Sequence, residues 1–144
     1  MKTISLAPDQ GGGVITMEIN ISQLYYEIAR WRSLLEHYRV ENTILKNRLA
    51  AALDKNMNEN KLASAEHFQN EFLRKDEIIN ILKHDIHLQE KKLLDGFSAD
   101  NAFPGKETIV AQDSLRDHIC FLEKEFTRLR KEFQHYVLSM QQTG

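Results

Sequence analysis

The sequence predicts an all-α protein, a long helical hairpin completed by a third helix as a coiled coil or three-helix bundle, and three observations carry that prediction. Between Leu115 and Met140 the large apolar residues Leu115, Ile119, Leu122, Phe126, Leu129, Phe133, Tyr136 and Met140 recur at alternating steps of four and three. A repeat averaging about 3.5 residues keeps one stripe of a helix turned toward a partner helix. Two comparable stripes lie upstream. The third observation is punctuation: the six glycines and two prolines fall at Pro8, Gly11, Gly12, Gly13, Gly96, Pro104, Gly105 and Gly144. Val14 to Asp95 and Lys106 to Thr143 therefore contain neither of the strong helix breakers.

Residues 1–19 read as a flexible N-terminal tail. Within it Val14 to Ile19 (VITMEI) alternates as a short strand would. With no partner strand evident in the chain, it reads as an extended lead-in or as a strand that pairs between subunits. The helical domain then covers 20–143.

Helix 1 is expected over about 20–55. Asn20 is its N-cap and Gln23 its capping-box partner, while Ile19 and Leu24 form a hydrophobic staple. Its seam runs through Ile21, Leu24, Ile28, Trp31, Leu35, Tyr38, Asn42, Leu45 and Leu49. With Ile21, Ile28, Leu35, Asn42 and Leu49 at the heptad a position, Glu27 and Glu41 fall at g and Arg32 and Lys46 at e. In a parallel homodimer g of one helix meets the next e of the other, so Glu27 would face Arg32 and Glu41 would face Lys46. An Asn at a single a position is also a register device of parallel dimers. The run Val40 to Leu49 (VENTILKNRL) resembles the Asn-containing core of leucine zippers in general, a likeness of about ten residues shared by unrelated coiled coils. DNA-binding zippers carry a basic helix ahead of the seam, whereas residues 1–20 offer only Lys2.

The first register fails at Asp54 to Lys61 (DKNMNENK), where Asn56, Asn58 and Asn60 favour a turn. A second seam, two residues out of phase, runs through Ala65, Phe68, Phe72, Ile79, Leu82, Ile86 and Leu93, interrupted by Lys75 and Gln89. Stutters and stammers insert four or three residues, so a shift of two argues for a real turn. Helix 2 is expected over about 61–95, capped at Asp95-Gly96. A linker over 96–107 follows, with Phe97 and Phe103 packed down. Helix 3 is expected over about 108–141, starting at Thr108 or Asp113. A second apolar row, Tyr25, Leu34, Ile78, Ile81, Leu88, Phe121 and Leu138, suggests the widened stripe of a bundle.

Net charge is −2 and the pI about 6.3, which gives no electrostatic footprint for nucleic acid. No apolar run approaches the roughly 20 residues of a membrane span. The single cysteine, Cys120, excludes a disulfide framework within the chain. No apolar signal segment follows Lys2, so the expected compartment is the cytoplasm.

Candidate chemistry is sparse. Glu132 and His135 match a Glu-x-x-His pattern, His84 and His87 lie a turn apart, and His37 with Glu41 forms another helical pair. The registers place His37, His84, His87 and His135 at c, f, b and c, away from the seams, so no metal site is expected. Cys120 falls at b and reads as a small side chain near a second packing face rather than a nucleophile. Tyr25, Tyr26, Trp31 and Tyr38 could wall a ligand pocket, but Trp31 and Tyr38 sit at d, where core packing accounts for them.

The expected function is thus a non-enzymatic scaffold or adaptor, without cofactor, acting through helix-to-helix contacts with itself as a homodimer or with another helical protein. The expected oligomer interface is the helix 1 seam together with Leu115, Ile119, Leu122, Phe126, Leu129 and Phe133. The alternative is a small-molecule- or metal-binding helical bundle.

Overall fold

The structure, a computed structural model, describes residues 3–5, 16–18, 21–55, 59–98 and 104–142, with side chains over 21–54, 62–96 and 104–141. It is an all-α three-helix bundle: α1 spans Ile21–Lys55, α2 Glu59–Ser98 and α3 Lys106–Gln142. No helix is long and apolar enough to cross a membrane among the described residues.

Two short strands precede the helices. β1 (Thr3–Ser5) pairs antiparallel with β2 (Thr16–Glu18), placing Thr3 opposite Glu18, Ile4 opposite Met17 and Ser5 opposite Thr16. This corrects the expectation that the alternating VITMEI run lacks a partner within the chain. The three residues of β1 are too few to show a period of two, so the strand leaves no such signal in the sequence. The glycines at 11–13, the Asn20 cap and the Ile19 staple lie outside the described residues, as does the Asn56 to Asn58 turn.

The helix boundaries follow the sequence closely, with two corrections. α2 does not stop at Asp95-Gly96 but continues through Gly96 to Ser98. A helical glycine costs about 1 kcal/mol relative to alanine, which weakens a helix without ending it. α3 begins at Lys106, ahead of both Thr108 and Asp113, with the Ile109 N–H donating to the Gly105 carbonyl at 3.1 Å. That is the first intrahelical bond, and Gly105 has no side chain with which to cap the opening N–H groups, so no capping residue announces the start. Phe103 and the Phe97 side chain lie outside what is described.

The expected helical domain comprises two compact units, each built from segments of all three helices. The first takes Met1–Ser33 and Lys83–Asp117; the second takes Leu34–Leu82 and His118–Gly144. In each unit contacts join α1 to α3 at a nearly constant sequence offset, Leu24 to Gln112 in one and Tyr38 to Phe126 in the other, so these helices run parallel. α2 runs antiparallel to both, as Arg32 meeting Glu90 and Lys46 meeting Asp76 require.

The core is the three seams. In the first unit Ile21, Leu24, Ile28, Trp31, Ile86, Leu93, Ile109 and Leu115 are buried, and in the second Leu35, Tyr38, Leu45, Leu49, Phe68, Phe72, Leu122, Phe126, Leu129 and Phe133 are, with Ile119. Every residue expected at an oligomer interface is thus no more than 7% exposed within the single chain. Burial of one such side chain contributes about 1.5–3 kcal/mol before entropic offsets. The second apolar row divides: Tyr25, Leu34 and Ile78 are half-buried beside the seams, whereas Ile81, Leu88, Phe121 and Leu138 are exposed. The three half-buried positions are the e and g flanks of a bundle; the exposed four sit at positions that three helices do not enclose.

Candidate functional site

What the interior holds besides hydrocarbon is polar, and each unit builds it differently. In the first unit Gln89 and Gln112 are buried where the seams of α2 and α3 meet. Gln89 Nε2 donates to Gln112 Oε1 and to the Thr108 carbonyl, both at 2.9 Å. Gln112 Nε2 in turn donates to the Leu24 carbonyl at 3.1 Å and to Glu27 Oε1 at 3.0 Å. Glu27 also accepts from Arg116 Nε at 2.8 Å and Nη2 at 2.6 Å, a two-pronged pairing. Arg116 reaches Asp113 at 2.6 Å and lies 5.9 Å above the Trp31 ring. Its bond to Glu27 holds the guanidinium above its ordinary range despite opposing desolvation. The layer joins all three helices.

In the second unit the polar centre is Asn42, fully buried on α1. Its Nδ2 donates to the Phe72 carbonyl at 2.9 Å and to Asp76 Oδ1 at 2.7 Å, and Lys46 pairs with the other Asp76 oxygen. Both amide hydrogens point at α2. Asn42 Oδ1 is buried with no hydrogen-bond partner. Lys75, 4% exposed, reaches Glu71 at 3.4 Å. On the α3 side Arg130 pairs with Glu41 and lies 5.7 Å from the Phe126 ring centroid, which meets Tyr38 at 4.9 Å. Burial first, then the Glu123 charge, raises the Tyr38 phenol above its ordinary range.

The four charges expected to pair between copies of α1 are all paired inside the chain. Glu27 takes Arg116, Arg32 takes Glu90 at 2.8 Å, Glu41 takes Arg130 and Lys46 takes Asp76. The register identified which charges flank the seam but not which helix answers them. Gln112 was missed altogether, although it stands seven residues before Ile119 and so continues the α3 register by one heptad.

The other candidates disperse. All six histidines are exposed, where the registers put those at 37, 84, 87 and 135, and no group of three or more metal-binding side chains exists among the described residues. Cys120 is exposed rather than in a packing face. Tyr25 is half-buried, Tyr26 is 77% exposed, and Trp31 and Tyr38 are core, so these four wall no common pocket. A cavity of about 340 Å³ does open in the second unit, lined by Lys46, Leu49, Ala50, Gln69, Asn70, Phe72 and Leu73. The chain matches no family model, no curated protein and no solved structure.

Proposed function

We propose that this chain is a non-enzymatic scaffold or adaptor of the cytoplasm that acts through helix-to-helix contacts, with a second copy of itself or with another helical protein. The observation that carries the reading is the use to which the interior polar groups are put. Gln89, Gln112, Glu27, Asn42 and Asp76 each spend their bonds on a neighbouring helix. Groups so committed set alignment between helices, which supports a structural use for them. Outside, Val40 and Ile44 on α1, Leu73 and Ile81 on α2 and Phe121 on α3 of the second unit are large, apolar and 44–62% exposed, positions at which a helical partner would gain burial.

Light scattering coupled to size exclusion across a dilution series tests self-association. The expected result is a mass that rises with concentration from 16.8 kDa toward twice that value. A constant monomer mass up to the highest soluble concentration would remove the self-associating form of the proposal.

The cavity beside Leu49 and Phe72 favours a second reading, a small-molecule-binding bundle, through residues other than the histidines, Tyr25, Tyr26 and Trp31. An apolar fluorescent probe would distinguish it: saturable binding abolished by Ala50→Trp supports a pocket, and binding unchanged by that substitution counts against one.

A further inference from the structure

We infer that the α1 segment of the second unit, Leu34 to Lys55, is an exchangeable element, which leaves its own α2 and α3 to pair in parallel with the same segment of a second copy. The inference rests on the proposal of self-association above and specifies its geometry. Three observations support it.

The first is that α2 and α3 in this unit meet each other directly through aromatic side chains, with Arg48 of α1 lying over only one of them, 5.8 Å from the Phe133 ring centroid. Phe68 meets Phe133 at 5.4 Å and Tyr136 at 5.0 Å, and Phe72 meets Phe133 at 5.3 Å. On this inference the ladder keeps α2 and α3 together when α1 departs. The second is that α1 is held by groups that a second copy could replace. Leu35, Leu45 and Leu49 occupy a and d positions and would be buried again in a parallel pair. Glu41 at g and Lys46 at e, which the closed chain matches with Arg130 and Asp76, would match each other across two copies. The third is Asn42. In the closed chain both its amide hydrogens are bonded and its oxygen is buried without a partner. Two Asn42 side chains facing each other at a would supply an N–H donor to that oxygen, in exchange for the two bonds that Asn42 gives up to Phe72 and Asp76.

The test uses the full chain with Cys120→Ser and one introduced cysteine in a glutathione redox buffer. Leu35→Cys is buried in the closed chain and faces its own copy in the parallel pair; Asn47→Cys, on an exposed face, reports chance encounters. At least tenfold more disulfide-linked dimer from Leu35→Cys than from Asn47→Cys is expected. Adding Glu41→Lys with Lys46→Glu breaks both charge pairs of the closed chain. Between copies the same exchange only reverses the signs at positions 41 and 46 and keeps their attraction, so the Leu35→Cys yield should rise further. A Leu35→Cys yield no greater than that of Asn47→Cys, or one that the charge exchange leaves unchanged, overturns the inference. Should Leu35→Cys fail to fold, hydrogen exchange on the natural chain decides instead. Amides of Leu34 to Lys55 are expected to open at least tenfold more often than those of Leu62 to Leu82; equal protection overturns the inference. A doubled mass in light scattering together with a negative cross-linking result would sink the exchange alone and leave self-association through outer faces standing.

Discussion

The two units solve the same problem, a polar group in a helical seam, with different completeness. In the first, Gln89 and Gln112 form a chain of donors and acceptors that touches all three helices and ends on the Glu27–Arg116 pair. In the second, Asn42 binds α2 alone and leaves an oxygen unanswered. The lesson is that a buried amide specifies alignment only as far as its bonds reach. Gln112, longer by one methylene and set on α3, reaches both neighbours; Asn42 is spent on one. The polar layer of the first unit therefore ties three helices together, whereas Asn42 in the second ties only α1 to α2, and α3 is held there by the Phe68–Phe72–Phe133 contacts and the Glu41–Arg130 pair.

The largest effect should come from breaking the contact that makes α2 and α3 a pair. Phe133 is fully buried and meets both Phe68 and Phe72. Phe133→Ala is expected to cost about 3–5 kcal/mol, read as a shift of the denaturation midpoint. A loss of under about 1 kcal/mol would mean that the aromatic ladder does not hold these helices.

The two amides sharpen the contrast further. Gln112→Leu strands a Gln89 N–H in the core and removes the link to Leu24 and Glu27, at an expected cost of about 2 kcal/mol. Asn42→Leu loses two bonds but also removes the unpartnered oxygen, and Asp76 keeps Lys46. Its expected effect is within about 1 kcal/mol of zero, in either direction. Equal losses in the two variants, measured by chemical denaturation with unchanged slopes, would erase the distinction between the layers.

The seams were legible because a 3.5-residue period is a property of one helix and survives without knowledge of its partner. Ile21 through Leu49 and Leu115 through Phe133 were accordingly identified as seam residues. The partner was not legible. Glu41 and Lys46 flank the α1 seam in any arrangement, and their attraction across a parallel dimer is as plausible on paper as their bonds to Arg130 and Asp76. Choosing between them requires knowing where α2 and α3 lie, which no local pattern encodes. Chain ends and boundaries failed for a different reason. Gly105 precedes α3 without a capping side chain, Gly96 is carried through α2, and the β1 strand is too short to show alternation.

The smallest expected effect is alkaline, and it separates the units spectroscopically. Burial raises the Tyr38 and Tyr136 phenols, both in the second unit, above the ordinary tyrosine value of about 10. A folded-state value above the unfolded one means the native state holds its proton more tightly. The corresponding stability is fully present below the unfolded value and is lost as pH rises through the folded one. Raising the pH above about 10 should therefore weaken the second unit first. The single tryptophan, Trp31, is buried in the first unit beneath Arg116, whose charge does not change in this range, so its emission reports on that unit. Tyrosinate absorbance is expected to grow, with loss of protection at Leu34 to Lys55, before Trp31 emission shifts to the red. Tyr38→Phe should move the onset to higher pH and leave the Trp31 transition where it was. Simultaneous transitions in both signals, unmoved by Tyr38→Phe, would show that the two units lose structure together and that the difference between their polar layers has no consequence at alkaline pH.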